Sequence, residues 1–160
     1  MAKALEKGDS APAFTLPDAT GSPRSLEELR AAGPVVLFFY PAAMTPGCTA
    51  ESCHFRDLAA EFAALGAQPV GISADDVTRQ REFSDKYSFD FPLLSDTGGE
   101  VRAAYGVKRN FGLAPTKRVT FVIDTDGTIL DVVRSEIRFG RHADQALATL
   151  RAARRPPAGR

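Results

Sequence analysis

Residues 35–57 read VVLFFYPAAMTPGCTAESCHFRD. The first six, Val35 to Tyr40, form an unbroken apolar run of β-branched and aromatic side chains, the pattern of a strand buried on both faces of a sheet. Pro41 to Gly47 follows as a loop rich in breakers. A helical stretch then runs from about Cys48 to Leu65. Phe55, Leu58, Ala59, Phe62 and Leu65 fall at helical spacing on its buried face. Gly66 stands where a C-terminal cap is expected. A central strand, a tight loop and a helix opened by a cysteine thus form the nucleus of the chain.

Outward from this unit, strands and helices alternate. Ala11 to Leu16 reads as a short edge strand, since Pro12 removes a ladder donor. Asp18 to Gly21 is turn chemistry, and Ser25 caps a short helix through Leu29 and Arg30. Pro69 to Ser73 is a second buried strand, and Asp75 or Asp76 caps a helix reaching about Tyr87. Phe91 to Leu94 is a short strand and Gly99 to Tyr105 a short helix. Val107 to Pro115 reads as an irregular loop. Val119–Ile123 and Thr128–Val133 flank Asp124-Thr-Asp-Gly127, a strong hairpin signal. A last helix places Ala143, Ala146, Leu147 and Leu150 on one face. This order predicts an α/β sandwich with a mixed central sheet and helices on both faces, and it fits a thioredoxin-like fold with an N-terminal extension. One domain is expected over residues 1–153, with residues 154–160 a disordered basic tail.

The chain has 160 residues, 44% of them hydrophobic, which is enough for a core without staples. Twenty basic and twenty acidic residues cancel, so nothing in the charge directs it to nucleic acid or an anionic membrane. No apolar run is long enough to span a bilayer, and Met1 to Gly8 lacks a secretory core. A soluble cytoplasmic protein is expected. Two cysteines do not make a disulfide scaffold. In a reducing compartment a close pair is catalytic or metal-binding more often than structural.

Thr45 suits an N-cap and Pro46 a first helical position, which places Cys48 in the first turn. Unpaired backbone N–H groups and the helix dipole favour an anion there, and the thiolate is the form of cysteine that attacks. Cys53 lies five residues on. In a regular helix the two Cα atoms stand roughly 8–9 Å apart, and a disulfide needs about 4.4–6.8 Å. Either the two never pair, or the helix unwinds when they do. A zinc site using Cys48, Cys53 and His54 has the wrong spacing for a finger or ribbon, and Cys-x4-Cys is not the spacing of a thioredoxin-type exchanger.

At these residues the chain resembles the peroxiredoxins, and within them the bacterioferritin comigratory protein or peroxiredoxin Q group. The motif is Pro41-x-x-x-Thr45-x-x-Cys48, extended by Met44, Thr49, Cys53, Arg56 and Asp57. Gly71-Ile-Ser73, Phe91-Pro-Leu-Leu-Ser-Asp96, Tyr105-Gly-Val107 and Arg118-x-Thr-Phe-x-Ile-Asp124 match as well. The resemblance implies a thiol peroxidase acting on hydrogen peroxide and organic hydroperoxides without a metal or organic cofactor. It implies that Cys48 attacks the O–O bond and that Thr45 hydrogen-bonds peroxide and thiolate. Pro41 walls the pocket, and Arg118 stabilises the thiolate and polarises the peroxide. Cys53 resolves the Cys48 sulfenic acid as an intramolecular disulfide, which thioredoxin or a similar dithiol protein reduces. A monomer is expected.

On spacing alone Arg102, Arg109 and Arg138 are equal candidates to Arg118, and only the resemblance selects it. Lys108 to Lys117 departs from the family's loop. Glu51 reads by default as a solvated helix position, and His54 and His142 have no assigned role. Two other function classes use the same residues: a redox relay that passes its disulfide to a partner protein, and a metal-binding module.

Overall fold

The computed structural model describes residues 4–109 and 114–154. The expected basic tail therefore lies outside the described residues, apart from Arg154, which ends the last helix. Two short strands, β1 (Thr15–Pro17) and β2 (Pro23–Ser25), pair antiparallel beside α1 (Leu26–Ala31). The main sheet comprises β3 (Val35–Phe39), β4 (Gln68–Ser73), β5 (Leu93–Ser95), β6 (Val119–Ile123) and β7 (Ile129–Arg134) in the order β5-β4-β3-β6-β7. The first three run parallel, and β6 and β7 run antiparallel to their neighbours. The connecting helices are α2 (Pro46–Asp57), α3 (Ala59–Ala64), α4 (Val77–Tyr87) and α5 (Glu100–Ala104), and α6 (Phe139–Arg154) closes the chain. A βαβ half followed by a ββα half gives the mixed sandwich of the thioredoxin-like type.

β3 is the middle strand and none of its five residues reaches solvent. Its alternation divides the core in two. Val36, Phe38 and, just beyond the strand, Tyr40 pack with Cys48, Phe55, Phe62, Phe83 and the inner face of α6. Val35, Leu37 and Phe39 face the opposite layer, with Leu26, Leu29, Val101 and Tyr105. Cys48 is thus placed inside the first layer at the carboxyl end of the central strand. The hairpin between β6 and β7 turns at Asp124–Gly127, where the Gly127 amide donates to the Asp124 carbonyl at 2.9 Å and Gly127 takes φ +89°.

Three local expectations change, and the choice between two caps for α4 is decided. The strand expected at Ala11–Leu16 is confined to Thr15–Pro17. Ser10 instead bridges to Thr128 and Asp18 to Leu94, which ties the N-terminal segment to the main sheet. The helix expected through Leu65 breaks at Leu58, whose φ and ψ of −99° and 14° leave the helical region. The Phe62 amide still donates to the Leu58 carbonyl across the joint at 3.1 Å, so the apolar periodicity continues and hides the break. Asp76 is the cap of α4, accepting from the Arg79 amide at 2.8 Å. Asp75 turns back to accept from the Ala43 amide at 2.8 Å and the Ser73 hydroxyl at 2.6 Å.

The segment from Val107 to Pro115 is more ordered at its base than an irregular loop. Lys108 bridges to Thr116, and the Lys117 amide donates to the Val107 carbonyl at 2.8 Å. Residues 110–113 lie outside the described residues. Arg102 underlies this base. It is buried, pairs with Asp96 at 3.0 Å and donates to the Pro115 carbonyl at 3.2 Å.

Candidate active site

The loop from Pro41 to Thr45 carries the chain from β3 into α2. Met44 adopts φ +68°, a left-handed turn unusual for a side chain with a Cβ. A buried polar chain holds this turn in place. The Tyr40 hydroxyl donates to Gln80 Oε1 at 2.6 Å, Gln80 Nε2 donates to the Ser73 hydroxyl at 3.1 Å, and Ser73 leads to Asp75 and the Ala43 amide. Pro46 occupies the first turn of α2, as expected.

Thr45 sits at the N-cap with extended backbone angles, but its side chain does not cap. The hydroxyl donates instead to the Ala42 carbonyl at 2.7 Å, which closes the loop on itself and leaves its lone pairs free. The first intrahelical hydrogen bond comes from the Thr49 amide to the Thr45 carbonyl at 2.9 Å. The amides of Gly47 and Cys48 therefore precede the helical ladder and can serve an anion.

Cys48 is fully buried in the first turn. Of the four arginines, Arg118 is the one beside it: Nη2 lies 3.5 Å from Sγ. Arg102 is committed to Asp96, Arg109 pairs with Glu136 at 3.0 Å, and Arg138 is exposed. Arg118 is itself buried, at 6% exposure, and its guanidinium lies over the Phe139 ring at 4.8 Å. Its Nη1 donates to Glu51 Oε1 at 2.8 Å. Burial works against the guanidinium's charge, but Glu51 and Cys48 beside it outweigh that and raise its pKa further.

Glu51 corrects the reading of a solvated helix position, for it has no exposed surface. Burial lifts its carboxyl from 4.5 to about 8, against the pull of Arg118. The signal for this was in the spacing. Residues 48, 51, 52 and 55 are i, i+3, i+4 and i+7 on one helical face, and all four are buried. His142 is buried as well. Its Nδ1 faces the Thr120 hydroxyl at 2.8 Å and Glu51 Oε2 at 3.6 Å, and its Nε2 faces the Ser135 carbonyl at 2.8 Å. Sequence spacing offered no route to it, since it comes from the opposite end of the chain.

Cys53 lies in the same helix, half-buried, and both cysteines are free thiols. Burial raises the Cys53 pKa, with Arg56 opposing that rise and Asp57 adding to it. Pro41 is half-buried at the end of β3. His54 pairs with Asp144 on α6 at 2.7 Å. Among the described residues no three His, Cys, Asp or Glu side chains converge as a metal site, and no helix is long and apolar enough to cross a membrane. A cavity of about 290 Å³ is bordered by Arg118 together with Tyr105, Val107, Lys117 and Glu136 among others, and Cys48 is not in its lining.

This arrangement sets a nucleophilic sulfur beside a fixed cation, at a helix start with free amides. It suits displacement on an electrophile that leaves as an oxyanion. The comparisons point the same way. A model of the AhpC/TSA family matches residues 7–132. The crystal structure of the peroxidoxin BcpB from Mycobacterium tuberculosis is 59% identical and superimposes with a TM-score of 0.91 over 94% of this chain and 99% of that one. The chloroplastic peroxiredoxin Q of Sedum lineare is 42% identical over 147 residues, covering 91% of this chain and 78% of that protein. The bacterioferritin comigratory protein of Xanthomonas campestris, whose structures concern its alkyl peroxide reduction activity, is 30% identical with a TM-score of 0.83 over 94% of this chain and 99% of that one. The chain belongs to the AhpC/TSA family and is a peroxiredoxin.

Proposed function

We propose that the peroxidase activity of this peroxiredoxin runs through Cys48 as the attacking thiolate, with Arg118, Thr45 and the amides that open α2 as its electrostatic partners. The observation that carries this reading is the 3.5 Å approach of the Arg118 guanidinium to Cys48 Sγ, deep in the core at the mouth of a helix. The sulfur's electron pair forms an S–O bond as the O–O bond breaks, and negative charge develops on the leaving oxygen. A guanidinium held by Glu51 and Phe139 needs little reorganisation to meet that charge. The Thr45 hydroxyl, anchored to the Ala42 carbonyl, presents its lone pairs to a peroxide O–H. Pro41 shields the loop side.

The substrates on this reading are hydrogen peroxide and organic hydroperoxides. Cys53 then resolves the sulfenic acid as an intramolecular disulfide. A dithiol protein of the thioredoxin kind reduces that disulfide. The protein acts in this reading as a cytoplasmic antioxidant monomer. The decisive experiment is steady-state peroxide consumption with thioredoxin and its reductase, run on the wild type and on Cys48→Ser. Turnover in the wild type and none in the variant is expected. Stoichiometric oxidation of Cys48 without turnover by any dithiol reductant would instead favour a relay that hands its disulfide to a partner.

A further inference from the structure

Arg118 carries one positive charge and faces two acids. Cys48 Sγ lies 3.5 Å from its Nη2, and Glu51 Oε1 lies 2.8 Å from its Nη1. Cys48 and Glu51 have no exposed surface. Were both ionised, the cluster would bury a net negative charge, which a low-dielectric interior strongly disfavours. When Cys48 becomes a thiolate, a proton therefore has to stay nearby. Glu51 is one seat for it, and its Oε2 has no hydrogen-bond partner among the described residues. His142 is a second seat. Its Nε2 faces the Ser135 carbonyl at 2.8 Å and must carry hydrogen, so Nδ1 bears the lone pair that faces Thr120 and Glu51.

We propose that Glu51 and His142 form a buried proton reservoir, which keeps the proton that Cys48 releases and returns it when the peroxide O–O bond breaks. The proposal rests on the reading of Cys48 as the nucleophile. In the reactive state Cys48 is a thiolate paired with Arg118, and the reservoir holds one proton. The thiolate's electron pair forms the S–O bond, the O–O bond breaks, and its electron pair goes to the leaving oxygen. Cys48 is oxidised to a sulfenic acid and the peroxide is reduced to an alkoxide or hydroxide. That oxyanion takes the reservoir's proton and departs as alcohol or water. Glu51, now a carboxylate, becomes the sole partner of Arg118. The cluster is neutral before and after, so no buried charge is stranded at any stage.

The electrostatics agree with this arrangement. Burial lifts the Glu51 carboxyl to about 8 and lowers the His142 imidazole, which makes the carboxyl the preferred seat; a thiolate at Cys48 competes for Arg118 and strengthens that preference, and its loss on oxidation returns Arg118 wholly to Glu51. The other charged groups that bear on the pair are Glu136, between β7 and α6, and Arg141 on α6. Glu136 accepts the Arg118 backbone N–H at 3.1 Å and adds to the rise at Glu51, and Arg141 adds to the fall at His142.

The test is a proton count. Reduced protein at pH 9, above the value of about 8 at which Glu51 would take its proton back from solvent once no thiolate lies beside it, is mixed in weak buffer containing a pH indicator with one equivalent of hydrogen peroxide. Thiolate absorbance is followed on the same sample, and mass spectrometry confirms that Cys48 is oxidised. Forming the disulfide afterwards adds no net proton, so the count holds whether or not Cys53 reacts. The wild type is expected to lose thiolate absorbance without drawing a proton from solvent. In E51Q/H142Q the thiolate's proton has already gone to solvent, so oxidation should take up one proton per thiolate. A wild type that takes up a proton on oxidation overturns the reservoir, as does one that holds no thiolate at that pH. A double variant that holds a thiolate yet takes up no proton overturns the assignment to Glu51 and His142. The single variant E51Q, nearly isosteric, gives an intermediate uptake and serves if the double variant does not fold. Failure of peroxide to oxidise Cys48 at all would show up in the mass spectrum and would instead remove the nucleophile reading.

Discussion

Gly47 immediately precedes Cys48, and replacing it with alanine probes how finely Arg118 is placed. A Cβ at Gly47 would lie 2.8 Å from Cε1 and Cζ of Phe139 and 3.1 Å from Arg118 Nη2. Carbon–carbon contact is comfortable at about 3.5–4.0 Å, so the ring has to retreat by several tenths of an ångström. The atoms struck are the far end of a half-buried side chain, which puts the packing cost at the low end of the about 1–3 kcal/mol typical of overpacking. Gly47 lies inside the first turn of α2, where alanine regains up to about 0.5–1 kcal/mol of helix propensity. Stability should therefore fall by about 1 kcal/mol or less. Activity should respond more strongly, because the ring that retreats lies over Arg118 and the atom crowded is the one nearest Cys48 Sγ. Removing a preorganised donor outright costs about 100- to 1,000-fold in rate, and displacing one forfeits part of that. We expect Cys48 oxidation by hydrogen peroxide to slow about tenfold in single turnover, equivalent to about 1.4 kcal/mol. Urea denaturation of the same preparation measures stability. Adding Phe139→Leu should relieve the ring contact and recover part of the rate. If Gly47→Ala oxidised at the wild-type rate, the 3.5 Å Arg118 contact would not be what activates Cys48.

Three further outcomes follow from the same geometry. Arg118→Met should slow Cys48 oxidation by about 100- to 1,000-fold; a rate within a factor of a few of wild type would remove Arg118 from the mechanism. Cys53→Ser should still form a sulfenic acid at Cys48 but no intramolecular disulfide, as read by mass spectrometry after one equivalent of peroxide; loss of the sulfenic acid itself would reverse the two cysteine roles. Glu51 should make the fold less stable as pH rises: its folded pKa is raised from 4.5 to about 8, so the native state keeps a proton that the unfolded chain releases. Its contribution is fully present below pH 4.5 and is lost as pH climbs towards 8. Urea titrations between pH 5 and 8 should show that decline, and E51Q should flatten it; an equal slope in E51Q would place the titrating group elsewhere.

The frame of the molecule was legible because local pattern and burial coincide there. Val35–Phe39 reads as a doubly buried strand and is one, at the centre of the sheet. Asp124–Gly127 reads as a hairpin and turns one. Legibility failed where a side chain had two competing partners. Thr45 has the chemistry of a cap, yet its hydroxyl is closer to satisfying the loop carbonyl of Ala42. Asp75 and Asp76 are equivalent in sequence, and only the third dimension brings the Ala43 amide to one of them. Glu51 looks solvated by its charge, whereas its periodicity places it on the helical face defined by Phe55. The partners that make its burial tolerable, Arg118 and His142, lie 67 and 91 residues away, beyond the reach of spacing arguments.

On the roles proposed for the two cysteines, the helix that activates Cys48 is also what keeps Cys53 from it. The two thiols share α2, and five residues of helix rise about 7.5 Å, more than a disulfide spans. Pairing them requires α2 to come apart, and its anchors are unevenly spread. Beyond Cys53 the helix is held by Phe55, stacked on Phe38 at 4.3 Å, by His54 on Asp144 and by Arg56 on the Tyr87 carbonyl at 2.8 Å. Ahead of Cys53 the ties are those of the active site itself, Cys48 to Arg118 and Arg118 to Glu51. Oxidation acts on this second set. A neutral sulfenic acid no longer attracts the guanidinium as a thiolate does, so the tie of Cys48 to Arg118 weakens while Arg118 stays with Glu51, and the turn that carries Cys48 is the part set free to move. The break at Leu58 confines the rearrangement, because α3 has its own buried anchor in Phe62 and need not follow. Activation and resolution thus make opposite demands on one helix, and the redox state of Cys48 selects between them.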